Sequence, residues 1–233
     1  MDFDGRAVMI TGAAGNLGRA VAQSFAGKGA QLVLVDLHTD GLAGDFAASG
    51  RHLLVKADLL RADEAMAATQ QAMARFGRID VLCNLAGGFR MGEAVHETST
   101  SNWDFLLGLN AASVLHMARA VVPHMLAAGS GKIVNVGAFA ALRGAAQMGA
   151  YIASKSVVIR LTESMAAELR EKGINVNCVL PTIIDTPENR AAMPGADPSR
   201  WVTPRDLASV IVVLASDQAR ALHGAALPVC GLS

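Results

Sequence analysis

Seven short apolar runs alternate with helix-periodic segments along the whole chain, and few folds accommodate that order. The runs are RAVMI (6–10), QLVLV (31–35), HLLVK (52–56), IDVLC (79–83), KIVNV (132–136), INVNCVL (174–180) and AALPV (225–229). Their apolar residues are nearly continuous rather than alternating, the mark of strands covered on both faces. Helical spacing fills the intervals at 16–28, 39–48, 61–76, 102–128, 151–172 and 204–216. Such alternation implies parallel strands joined by right-handed crossovers, hence a doubly wound α/β sheet of the Rossmann type. The chain of 233 residues is read as a single domain over 1–233: it has no repeat, low-complexity tract or linker, and its one Pro- and Gly-rich irregular stretch is 181–204.

Two helical segments are apolar on more than one face. Segment 102–128 carries Trp103, Phe105, Leu106, Leu109, Leu115, Met117, Val121, Val122, Met125 and Leu126; segment 151–172 carries Ile152, Val157, Val158, Ile159, Leu161, Met165 and Leu169. One stripe of each covers the sheet, and the surplus implies either a subunit interface or a thick core. Lys+Arg and Asp+Glu both number 20, so the formal charge is zero, which argues against nucleic acid or an anionic membrane as the main partner. Cys83, Cys178 and Cys230 lie in apolar strand-like runs without a CxxC, which reads as a reduced, cytoplasmic protein with buried thiols. The start MDFDGRAVMI is acidic and enters a strand at once, unlike a signal peptide, and no uninterrupted apolar run reaches a membrane-spanning length. The histidines show no metal-ligand spacing, so no metal is expected.

The first strand runs into TGAAGNLG, Thr11 to Gly18, and then a helix. Gly12 permits the tight turn, Gly15 lets backbone approach a pyrophosphate, and Gly18 lets the helix pack close to the strand, with Asn16 and Leu17 opening the helix whose free N–H groups meet phosphate. In this strand-turn-helix context the motif reads as a dinucleotide site, the alternative being a structural loop. Asp36 ends the second strand, where a carboxylate accepts both ribose hydroxyls and repels a 2′-phosphate; Leu37 follows in place of a basic residue. NAD(H) is therefore expected over NADP, with Arg19 and His38 the residues able to overturn this. Asp58, beside Leu59, is placed either to meet the adenine amino group or to cap a helix. The backbone of Asn84-Leu85-Ala86-Gly87 would line the inner ribose, and Asn84 would tie neighbouring strands together.

Together, TGAAGNLG, NLAG, Asn110, Y-I-A-S-K and P-T-I-I-D-T-P resemble the short-chain dehydrogenase/reductases over residues 5–230. The resemblance implies strand order 3-2-1-4-5-6-7, an active site within the same domain, and dimers or tetramers built on the two apolar helices. It implies that Tyr151 is the proton donor or acceptor. Lys155 would hold the nicotinamide ribose and lower the tyrosine's pKa, in keeping with the shared face of positions i and i+4. Asn110 would anchor a water chain through a locally kinked helix, or else be a helix-interior Asn bonding locally. Thr186 would bind the nicotinamide carboxamide, with backbone from Pro181, Ile183 and Ile184 alongside.

The departure is Ala138, which stands 13 residues before Tyr151 where the family carries a serine. That hydroxyl stabilises a carbonyl oxygen as it becomes an alkoxide, and loss of one such donor costs roughly 2.7–4 kcal/mol. Hydride addition to a conjugated or quinonoid ring spreads the charge and tolerates the loss. A second, narrower similarity points the same way: AGG plus an aromatic at 86–89, the missing serine, and LPTIIDTPENRAAMPGADPSRWVTP (180–204) are similar to dihydropteridine reductase. Phe89, Met91, Phe139, Met148, Met193 and Trp201 would form an apolar wall for a flat ring, beside Ala138, with Arg90, Arg143 and Arg190 at polar edges; each has a core or surface alternative. Gln147 is a substitute amide donor. The leading reading is an NADH-dependent reductase of a conjugated acceptor. The competing readings are a conventional alcohol/ketone oxidoreductase using another donor, and a non-catalytic NAD sensor.

Overall fold

The protein's computed structural model describes residues 1–46 and 50–233. Strands β1 (Ala7–Thr11), β2 (Gln31–Asp36), β3 (His52–Lys56), β4 (Val81–Asn84), β5 (Gly131–Val136), β6 (Ile174–Pro181) and β7 (Ala226–Val229) form one sheet in the order β3-β2-β1-β4-β5-β6-β7. Every pairing is parallel, as in the register Met9↔Val33 and Met9↔Leu82. The order reverses between β1 and β4, so a crevice opens at the carboxyl ends of those strands, where ligands of such sheets bind. Central strands are buried along their length, whereas the edge strands β3 and β7 are only partly covered, for an edge strand has one neighbour fewer.

Helices α1 (Asn16–Ala26), α2 (Ala43–Phe46), α3 (Ala62–Phe76), α4 (Thr100–Leu107), α5 (Ser113–Ala128), α6 (Gly149–Leu169), α7 (Pro187–Ala192) and α8 (Pro204–Leu214) flank the sheet. On one face Val21 and Phe25 of α1 pack with Leu207 and Ile211 of α8 against Val8, Ile10 and Leu32. Phe25 meets Phe3 edge to face at 4.9 Å, and Phe25→Ala would cost about 3–5 kcal/mol. On the other face the small side chains Ala65, Ala68 and Ala72 let α3 approach β2 and β3, beside Met117, Val121 and Met125 of α5. Helix α3 ends at Gly77, whose φ of +70° permits its N–H to bond Met73 O.

The expected helix at 39–48 is a 3₁₀ turn, Asp40–Leu42, followed by the single turn α2; positions 47 and 48 lie outside the described residues. The stretch 181–204, expected to be irregular, contains α7, because Thr186 caps it and Pro187 starts it. Segment 102–128 is one helical run from Thr100 to Ala128, interrupted by a π-turn at Gly108–Ala112. By length and mean hydropathy this run reaches the range of a membrane span, although polar residues interrupt its apolar stretches. It nonetheless buries Asn110, Ser113, Met117 and Val121 in this fold, as a sheet-covering helix does.

Candidate active site

The glycine-rich turn is stitched to the loop after β4. Thr11 Oγ1 accepts from Leu85 N and Ala86 N at 3.1 and 3.2 Å, and a Cβ on Gly12 (φ +64°) would lie 2.8 Å from Ala86 N and Cα. A Cβ on Gly18 would penetrate the Gly12 carbonyl oxygen. Helix α1 has Gly15 as its N-cap and no side-chain cap, so its first N–H groups face the crevice unspent by side chains. Leu17 is half-buried behind them, while Asn16 is exposed and donates to Glu188 Oε2 at 2.8 Å, linking this turn to α7.

Asp36 ends β2 with its carboxylate fixed by backbone: Ala14 N donates to Oδ2 at 2.9 Å and His38 N to Oδ1 at 3.1 Å. Leu37 beside it is exposed. Arg19 donates through Nε to Ala14 O and through Nη1 to Asp45, so its guanidinium is engaged. Asp58 does not cap α3, whose N-cap is Arg61; its Oδ1 accepts from Leu60 N in a local turn, and its N–H donates to Glu64. The helix-cap alternative is thereby corrected: the chain needs three further residues after Asp58 to turn into α3. Leu59 is buried, and its carbonyl meets His116 Nδ1 at 2.9 Å, a contact no sequence pattern announces.

At the centre, Asn84 Nδ2 donates to Asn135 Oδ1 and Asn135 Nδ2 to Thr162 Oγ1, each at 2.9 Å. The expected tie between strands is present and continues into α6. Among the described residues, buried Asn84 Oδ1 has no hydrogen-bond partner. Asn110 sits in the π-turn and bonds both ways to Gly88: Gly88 N donates to Oδ1 at 2.8 Å, and Nδ2 donates to Gly88 O at 3.0 Å. A Cβ on Gly87 would come within 2.9 Å of Asn110 Oδ1 and 3.1 Å of Lys155 Nζ. The kink expected near Asn110 is therefore a π-turn, a feature frequent at functional sites.

Lys155 is buried, and its Nζ donates to Val136 O at 2.8 Å. Burial pulls its ammonium down to about 8, opposed by nearby Cys178. Tyr151 lies one turn earlier on α6, and burial pushes its hydroxyl up to about 12. The expectation that Lys155 lowers this pKa fails here, for a physical reason: the ammonium is drawn to the Val136 carbonyl, and desolvation dominates both groups.

On the substrate side, Phe89 is 55% exposed and its ring meets that of Tyr151 edge to face, with centroids 4.8 Å apart. Phe139 and Met91 are also exposed, while Met148 and Met193 are half-buried. Arg90 is stacked 3.7 Å over the Phe105 ring, and Arg190 pairs with Asp185. Ala138 is 4% exposed and opens the 3₁₀ turn Phe139–Leu142. Gln147 is exposed with a left-handed φ of 60°, unusual for a residue other than glycine. Trp201 is corrected from wall to core: it is 6% exposed, beneath the Gly231 turn. Beyond β6, whose last residue is the buried Pro181, Ile183 O accepts from Val202 N and Ile184 O from Asn189 Nδ2. Thr186 Oγ1 accepts from Asn189 N as the cap of α7, and its hydroxyl donates to the Glu188 carboxylate, so a ligand would have to compete with Glu188 for that proton.

A family model described as short chain dehydrogenase matches residues 6–196. The chain belongs to the short-chain dehydrogenase family. It is 36% identical to "D-threitol dehydrogenase" of Mycolicibacterium smegmatis over 98% of this chain and 93% of that one. It is 33% identical to "2-dehydro-3-deoxy-D-gluconate 5-dehydrogenase" of Escherichia coli over 98% and 95%. A solved structure of "3-ketoacyl-(acyl-carrier-protein) reductase from Brucella melitensis complexed with NADH" superposes with a TM-score of 0.87 at 30% identity, covering 98% of each chain. This short-chain dehydrogenase is thus an oxidoreductase by family. Its Tyr151, Lys155 and Asn110 are brought together by α6 and the π-turn. Thr11 and Ser154 stand inside the quoted motifs TGAAGNLG and Y-I-A-S-K without a role of their own in the sequence reading, and the structure gives each a hydrogen bond here.

Proposed function

We propose that this short-chain dehydrogenase is an NAD(H)-dependent reductase of a conjugated, quinonoid acceptor, with a dihydropterin as the leading candidate. The crevice suits a dinucleotide: Gly12 and Gly18 leave no room for a Cβ, α1 begins without a side-chain cap, and Asp36 presents a carboxylate held by two N–H groups. Gly12, Gly15, Asn16, Leu17 and Gly18 would hold the phosphates. Asp36 and Leu37 would take the adenosine ribose, Asp58 and Leu59 the adenine. Asn84, Ala86, Gly87 and Lys155 would take the inner ribose, and Pro181, Ile183, Ile184 and Thr186 the nicotinamide. Asp36, the exposed Leu37 and the engagement of Arg19 with Asp45 favour NAD(H) over NADP. When bound, that cofactor supplies or accepts hydride.

The observation carrying the acceptor class is that Tyr151 is faced by the Phe89 ring while position 138 offers a methyl instead of a hydroxyl. Tyr151 keeps its proton through neutral pH, which suits delivery of a proton to a reduced acceptor. Lys155, Asn110 and the Gly87–Gly88 loop hold the site in register. A flat ring against Phe89 spreads the negative charge that Ala138 is unable to receive. NADH oxidation with quinonoid dihydropterin and a quinone panel tests this; no turnover on any of them, with good turnover of simple ketols, refutes it.

A second reading is a conventional alcohol or ketone oxidoreductase, favoured by the 36% identity to a D-threitol dehydrogenase. Gln147, whose side chain is exposed, would be the substitute donor, and Gln147→Ala would then abolish activity. NADH binding without turnover of any of these substrates would instead indicate a sensor. The exposed Trp103, Leu115, Leu126 and Val157 on α4, α5 and α6 support a homodimer or homotetramer, and the buried free thiols Cys83 and Cys178 suit a cytoplasmic setting.

A further inference from the structure

The geometry assigns Ser154 as a positioning residue that locks the Asn110 amide and, through it, the Gly87–Gly88 loop. Ser154 lies between Tyr151 and Lys155 on α6 and is 0% exposed. Its Oγ donates to Tyr151 O at 2.7 Å and accepts from Asn110 Nδ2 at 2.9 Å. An alanine would serve a helix interior better, so the hydroxyl is not explained by helix formation. With its proton given to the Tyr151 carbonyl, Ser154 presents only an acceptor to Asn110. That polarity decides which end of the amide faces α6. The other Nδ2 hydrogen is then left for Gly88 O and Oδ1 for Gly88 N. A flipped amide would set its oxygen against the Ser154 oxygen and the Gly88 carbonyl, and its NH₂ against the Gly88 N–H.

The lock acts at a place with no slack. Asn110 and Ser154 are both buried, and Gly87 is pressed between Asn110 Oδ1 and Lys155 Nζ. Without the Ser154 acceptor, the amide is held by its two Gly88 bonds alone and one Nδ2 hydrogen is left buried and unpaired, so the arrangement that holds Gly88 as found is destabilised relative to displaced ones. The fraction of molecules with an ordered 86–88 loop falls, and apparent affinity for a ligand needing that loop falls in proportion. The inference rests on the NAD(H) reading and is independent of the acceptor.

The test is NADH titration by fluorescence, with hydrogen exchange of the peptide spanning 86–90, on wild type, Ser154→Ala, Asn110→Ala and the double variant. Ser154→Ala is expected to raise the NADH dissociation constant about tenfold and to speed exchange at Gly88 by a similar factor. The double variant should match Asn110→Ala alone, since one residue acts through the other. Should Ser154→Ala not fold, Ser154→Cys retains a weaker acceptor and should fall between wild type and Asn110→Ala in both readouts. Unchanged affinity and exchange, or effects of the two substitutions that multiply, would overturn the assignment. Wild type failing to bind NADH would instead overturn the cofactor reading, so the two failures are distinct.

Discussion

Restoring a hydroxyl at position 138 is the sharpest test of the acceptor class. Ala138 is buried in extended backbone, φ −157° and ψ 144°, and its carbonyl accepts from Ala141 N at 3.0 Å. Ala138→Ser adds one oxygen where the family keeps its serine. If the reaction develops a localised alkoxide, that donor is worth roughly 2.7–4 kcal/mol, or about 10²–10³ in rate. If the charge spreads over a ring, the gain shrinks to less than about threefold, below 1 kcal/mol. The assay follows NADH oxidation with menadione as the conjugated acceptor and cyclohexanone as the localised one. Wild type should favour menadione, and Ala138→Ser should raise kcat/KM for cyclohexanone by about 10² while leaving menadione nearly unchanged. Position 138 also heads a 3₁₀ turn without a side-chain cap, so the new hydroxyl could turn inward to the free N–H groups there. That capture would raise the unfolding free energy by about 0.5–2 kcal/mol with no kinetic gain, and a melting curve detects it. Equal gains on both acceptors, without a change in stability, would refute the link between Ala138 and charge delocalisation.

The remaining predictions concern the cofactor end and the titration of the Tyr-Lys pair. Gly18→Ala should abolish NADH binding in a fluorescence titration, because the added Cβ collides with the Gly12 carbonyl and pushes α1 off the turn. Asp36→Ala should weaken NADH about 10- to 100-fold, the loss of hydrogen bonds to a charged group, while NADPH weakens less; equal losses would remove Asp36 from nucleotide selection. Lys155 binds its proton more weakly folded than unfolded, so stability should rise with pH between about 8 and its ordinary 10.5, by up to about 3 kcal/mol. Denaturant melts of Lys155→Met should lack that rise. Tyr151 has the opposite sign, its contribution being lost as pH climbs from 10 to about 12; as the chain's single tyrosine, it can be followed directly by phenolate absorbance.

What was legible in the sequence follows from the range of the forces involved. Strand order and helix spacing came through because near-continuous apolar runs and glycine spacing are local consequences of two-sided burial and of turns without room for a Cβ. Gly12, Gly18 and Asp36 could be read for the same reason: each acts through the backbone of its own turn. Helix α7 was hidden because its six residues are too few to show a period, and only the Thr186-Pro187 start signal marks it. The electrostatics of Tyr151 and Lys155 were not legible at all. Their spacing establishes a shared helix face, but their pKa values depend on what other elements set against that face. Phe89 arrives from the loop after β4 and the Val136 carbonyl from β5, more than one layer of the fold away in sequence. The same reasoning explains why Ala138 was readable and Ser154 was not. A missing hydroxyl is visible as a letter, whereas a hydroxyl that orients an amide 44 residues away is visible only when the π-turn brings Asn110 beside it. The chemistry of this site is therefore set by three packed segments at once, and substitutions in the 86–89 loop should alter Tyr151 titration as strongly as substitutions on α6 itself.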